Sequence, residues 1–71
     1  MKPGDLVRVK IRDLLYSHIS GGNCLGACAV GEHLVVVDDH IGRNGKIKVI
    51  HPQLGVGFTH AALLEPVNET G

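Results

Sequence analysis

Apolar and polar residues alternate with a period of two in two stretches of the chain. From Leu6 to Arg12, Val7, Val9 and Ile11 face one way and Arg8, Lys10 and Arg12 the other. From Lys46 to His51, Lys46, Lys48 and Ile50 alternate with Ile47, Val49 and His51. Period-two alternation is the pattern of a half-buried strand. A third stretch, Glu32 to Asp39, holds the run Leu34-Val35-Val36-Val37, apolar on both faces. Such a run belongs to a central strand covered on both sides, or to one whose outer face meets another subunit. Val56 to His60 reads as a short strand and Leu64 to Val67 as a terminal one, with Pro66 tolerable at an edge. Ala61-Ala62-Leu63 between them is too short for an α-helix and suits one 3₁₀ turn.

Turn chemistry separates these elements. Pro52-Gln53-Leu54-Gly55 joins the third and fourth strands, since Pro presets φ and Gly accepts a positive φ. Asn44-Gly45 ends a polar hairpin loop that starts at Asp38. Asp13 to Gly31 lacks a clear period, and Ser20-Gly21-Gly22-Asn23 breaks any helix within it. It reads as a long loop, and loops of that length tend to be functional. The expected architecture is an all-β, five-stranded antiparallel barrel with strands near 5–12, 32–39, 46–51, 56–60 and 64–67. Val7, Val9, Val35, Val37, Ile47, Val49, Phe58, Leu63 and Leu64 would form its core, and residues 68–71 a frayed tail.

Length sharpens this picture. The chain has 71 residues, enough for one domain and a marginal core. Tyr16 and Phe58 are the only large rings, so Val, Leu and Ile must fill the interior. Self-association or a bound metal would help so small a core. The leftover Leu34/Val36 face would suit a homo-oligomer. No stretch approaches the ~20 apolar residues of a membrane helix, and Met1 to Asp5 has no apolar signal core. A cytoplasmic location and reduced cysteines are the expectation.

Three constellations could carry chemistry. Cys24, Cys28 and His33 combine thiolates and an imidazole, the donors of a zinc site. Their gaps differ from the usual zinc-knuckle spacing, and the competing reading is two small thiols packed in a loop. The five histidines, His18, His33, His40, His51 and His60, show no paired metal or catalytic spacing. The third is basic. Arg8, Lys10 and Arg12 share one strand face and Lys46 and Lys48 another, and with Tyr16 they are the candidate binding residues. Joined, they would form a patch able to touch nucleic-acid phosphates. The competing reading is a solvated strand face that discourages edge pairing. Lys plus Arg equals Asp plus Glu at 7 each, unlike a strongly basic nucleic-acid binder. Two aromatics also cannot line a polyproline groove.

The segments GDLVRV at Gly4–Val9, HLVVVD at His33–Asp38, IKVIHP at Ile47–Pro52 and HAALLEPV at His60–Val67 resemble the small SH3-like β-barrel proteins of bacteria, mobile elements and phages. That resemblance implies a fold more than an activity. The closing GVGFTHAALLEPV is also similar to a segment of plasmid-borne type II dihydrofolate reductases, which are tetramers with a shared central pore. Their motif there is Val-Gln-Ile-Tyr, and here Val56, Gly57, Phe58 and Thr59 stand instead. The pore-lining Gln and Tyr are replaced, so the resemblance does not transfer the activity. The expectation is a non-enzymatic binding or assembly module that self-associates. A nucleic-acid-binding module and a pore-type oligomeric enzyme are the alternatives.

Overall fold

The computed structural model describes residues 1–67, so the tail expected at 68–71 lies outside the described residues. It is all-β, with strands β1 (Leu6–Val9), β2 (Asp13–His18), β3 (Gly21–Cys28), β4 (His33–Ile41), β5 (Lys46–His51), β6 (Gly55–His60) and β7 (Leu64–Pro66). A 3₁₀ turn, Ala61–Leu63, links β6 to β7 at the position its sequence predicts. The strands form one antiparallel sheet in the order β3-β2-β6-β5-β4-β1-β7. Its end strands do not pair with each other, so the sheet is not closed. No helix among the described residues is long and apolar enough to cross a membrane.

Seven strands replace the expected five because Asp13 to Gly31 is a hairpin rather than a loop. Its Gly cluster does not end structure but begins β3, with Gly21 and Gly22 at φ +126° and +68° just past the Ile19-Ser20 turn. Leu15 pairs with Gly26 and the next residue, Tyr16, with Cys24, so Leu25 is the extra residue of a bulge. A bulge inverts the alternation beyond it. That inversion hid the strand from a period-two reading.

The core is Val7, Val9, Leu15, Cys28, Leu34, Val36, Ile47, Val49 and Leu64. Val7, Val9, Ile47, Val49 and Leu64 are where their pattern puts them. β4 has the opposite face inward from the one expected: Leu34 and Val36 are buried, Val35 is 38% exposed and Val37 half-buried. The register decides this, since Val7 sits opposite Leu34 and Val36 opposite Val49. A one-residue change of register turns every side chain over. Phe58 and Leu63 are likewise half-buried, because β6 turns Gly57 and Thr59 inward. Gly57 is required there: a Cβ would lie 2.6 Å from Leu15 Cγ and 2.9 Å from the Tyr16 carbonyl oxygen.

Candidate functional site

The outward face of the sheet carries a row of apolar side chains that no part of the described chain covers. Leu6 on β1 pairs with Val35 on β4, Val35 with Ile50 on β5, and Ile50 with Val56 on β6. Cross-strand partners share a face, so the four stand side by side, 36%, 38%, 43% and 49% exposed in that order. Val67, whose N–H donates to the Leu6 carbonyl at 3.0 Å, extends the row beyond β1. Asp5, Leu6, Pro66 and Val67 line a shallow hollow of about 430 Å³ at that end. Five neighbouring chain segments at ~4.8 Å spacing make the row roughly 19 Å long.

The basic residues lie on both sides of this row rather than together. Arg8 is opposite His33 and bonded to Glu65, with Nε to Oε2 at 2.8 Å and a second guanidinium nitrogen at 2.7 Å. Lys10 and Arg12 fall past the end of β1, in the turn to β2, and are exposed. Lys48 is next to Phe58, two strands and four residues from Arg8, roughly 16 Å away on strand spacing and rise. Lys46 is 7% exposed, its ammonium 4.0 Å from the centre of the Tyr16 ring. Tyr16 in turn pairs with Phe58, so the chain's two large rings are cross-strand neighbours. Strand pairing across 42 residues of sequence makes that neighbourhood, and no local pattern announces it.

The zinc donors are not gathered. The Leu25 bulge turns Cys28 into the core and Cys24 to the exposed side, and both thiols are free. His33 lies on β4 beside Arg8. Among the described residues no group of three or more His, Cys, Asp or Glu side chains could hold a metal ion. Burial, aided by the Glu32 and Asp13 carboxylates, pushes the Cys28 thiol up to about 11. It is therefore protonated at neutral pH and is neither a nucleophile nor a ligand in that state.

Two histidines are tied to carboxylates instead. Asp13 Oδ2 accepts from Thr59 Oγ1 at 2.8 Å, from His60 Nδ1 at 2.7 Å and from the His60 N–H at 3.2 Å. Burial acts to raise the Asp13 pKa, but these bonds outweigh it and hold the carboxyl below its ordinary value. His51 is 2% exposed, and its Nδ1 accepts the N–H groups of Gln53 and Leu54 at 3.0 and 3.1 Å. Its Nε2 lies 3.1 Å from Glu32 Oε2. That contact is off the N–H direction, leaving Nε2 the one buried side-chain nitrogen or oxygen among the described residues without a hydrogen bond. The Ala29 N–H, 2.6 Å from Glu32 Oε1, and then His51 hold the Glu32 carboxyl below its ordinary value. Both clusters join strand to strand or strand to turn; Thr59 is buried with its hydroxyl committed to Asp13, and Cys28, opposite Asp13 on β3, is held as the protonated thiol.

Compared with protein-family models, with curated proteins and with solved structures, the chain matches none.

Proposed function

We propose that this chain is a small SH3-like binding and assembly module that pairs with a second copy of itself through the Val67–Leu6–Val35–Ile50–Val56 row. The observation that carries the reading is the continuity of that row across four strands and the residue that follows β7. Isolated exposed apolar residues are ordinary, but a contiguous patch marks an interaction surface. Edge-to-edge growth is disfavoured by comparison. The β7 edge has three residues and ends in Pro66, and the β3 edge is bent by its bulge and by glycines of positive φ. The SH3-like reading rests on the 3₁₀ turn before the last strand and on β1 lying between β4 and β7.

Solution mass by light scattering tests this. The expected result is a mass of at least twice 7.5 kDa at micromolar concentration, reduced to one chain by Val35→Lys or Ile50→Glu. Both sites face outward, so thermal stability measured below the association range should hold. A monomer at high micromolar concentration, or variants that associate like the parent, would overturn it. The same row separates Arg8 from Lys48, and Glu65 neutralises Arg8, which favours this reading over a phosphate-tracking basic face.

A further inference from the structure

His51 serves one of its neighbours and leaves the other unserved. Its Nδ1 accepts the Gln53 and Leu54 N–H groups at 3.0 and 3.1 Å. The ring proton is therefore on Nε2. That N–H is buried without a hydrogen bond, although Glu32 Oε2 is 3.1 Å away. A buried donor left unsatisfied is costly and rare in a native fold. The ring cannot satisfy both sides at once, since turning Nε2–H onto Glu32 draws Nδ1 away from the turn.

The turn that Nδ1 holds reaches across the molecule. Leu54 packs against the core and over Gly26 of β3, an edge strand of the sheet. A Cβ on Gly26 would lie 2.7 Å from Leu54 Cδ1, so strand and side chain are in direct contact. One imidazole nitrogen thus seats an apolar side chain of the β5–β6 turn on that edge. Gly55 and Val56, which follow, open β6.

Few charges act on the ring. Glu32, in the β3–β4 turn, is the carboxylate in contact with it. Cys28 of β3 is a protonated thiol, and Asp13 of β2 is committed to Thr59 and His60. Arg8 and His33 pair on the outward face of β1 and β4, and Lys48 lies on the same face of β5 beside Phe58.

We propose that His51 is a proton-operated latch that holds the Pro52–Gly55 turn, and through Leu54 the β3 edge, only while its ring is neutral. Acid adds a proton from solvent at Nδ1 and gives the ring one positive charge. An imidazolium has two N–H donors and no acceptor. It repels the Gln53 and Leu54 N–H groups and is drawn to the Glu32 carboxylate. The ring then makes the bond that Nε2 lacks, and the two part-buried N–H groups turn to water. Leu54 leaves Gly26, while the pairings of β1, β4 and β5 stay. The latch is independent of self-association through the apolar row.

The test is imidazole-nitrogen and amide NMR of the full chain from about pH 8 to pH 5, the range in which histidines change charge. At the upper end the His51 proton should be on Nε2, with Nδ1 bare. On acidification the Gln53, Leu54 and Gly26 amides should shift in step with the second ring proton. Hydrogen-exchange protection at Gln53 and Leu54 should fall by about tenfold or more, while Val36 and Val49 keep theirs. Glu32→Gln keeps an acceptor for the Ala29 N–H and removes the charge, so it should move the transition to lower pH. Leu54→Ala should leave the ring and Gln53 responding and silence Gly26. Turn amides that stay fixed while the ring takes its second proton would overturn the proposal. So would a ring that takes it only as Val36 and Val49 lose protection, or a Glu32→Gln chain whose transition is unmoved.

Discussion

The two histidine–carboxylate contacts use the same residue types at different depths in the fold and with opposite chemistry. His60 is 38% exposed and donates from Nδ1 to Asp13, a carboxylate that collects three bonds on one oxygen. His51 is 2% exposed and accepts at Nδ1, from the two N–H groups that close the Pro52–Leu54 turn. The proton of His51 must then sit on Nε2, facing Glu32. In the first pair the carboxylate is the hub and the imidazole one of its donors. In the second the imidazole is the hub and the carboxylate only neighbours it. What surrounds Nδ1, rather than the proximity of an acid, decides what a histidine does in this fold.

The comparison is broken most severely at His51. His51→Phe keeps a ring in the core but takes the acceptor from the part-buried N–H groups of Gln53 and Leu54, and should cost about 2 kcal/mol. His51→Ala adds a cavity and should cost about 3–4 kcal/mol. Either is a large share of the roughly 4–10 kcal/mol expected for a chain of this length. His60→Phe, which removes one donor from an oxygen that keeps two, should cost about 1 kcal/mol. Urea unfolding of the three variants checks the order. A His60 variant that loses as much as the His51 variants would contradict the assignment of hubs.

Acid should act on both pairs with the same sign. Asp13 and Glu32 have folded pKa values below the unfolded ones, near 3.8 and 4.5. The unfolded state therefore takes up protons first as pH falls. The stability these groups contribute is present above the unfolded values and is lost as pH drops through the folded ones. Unfolding free energy measured from pH 6 to pH 2 should decline below about pH 4.5. Asp13→Asn and Glu32→Gln should each flatten part of that decline. A profile that either variant leaves unchanged would remove that carboxylate from the account.

The smallest effect is expected at the exposed reference pair, Arg8 and Glu65, with side chains 49% and 36% exposed. Arg8→Met or Glu65→Gln should change stability by less than about 1 kcal/mol, and by less still at high salt. A larger loss would mean that surface position is a poor guide to the worth of charges here, and would weaken the ranking of the two histidine–carboxylate pairs as well.

Legibility differed from element to element for identifiable reasons. The Asn44-Gly45 turn, the Pro52–Gly55 turn and the 3₁₀ turn at Ala61–Leu63 lie where their residues predict, since each depends on local φ preferences. Ile47, Val49 and His51 of β5 are buried and Ile50 is exposed, as the alternation requires, but Lys46 departs from it and is buried as well. β2 and β3 were not readable, because a bulge at Leu25 and glycines of positive φ erase the alternation. The apolar row was hidden for another reason. Leu6, Val35, Ile50 and Val56 come from four strands and are ordinary strand residues one by one. Cys24, Cys28 and His33, close in sequence, end in different environments.

By itself, the sequence determined that the chain is built of strands, where most turns fall, and how each regular strand divides into two sets of side chains. It could not say which set is inside when both are apolar, as in Leu34-Val35-Val36-Val37. Period two sorts residues into faces but does not name the inner one. Only the tertiary structure decided that, by pairing Val7 with Leu34 and Val36 with Val49. The same pairing places Tyr16 beside Phe58 and under Lys46. Contacts of that kind depend on register between distant strands, a property of pairs of segments that neither segment carries alone.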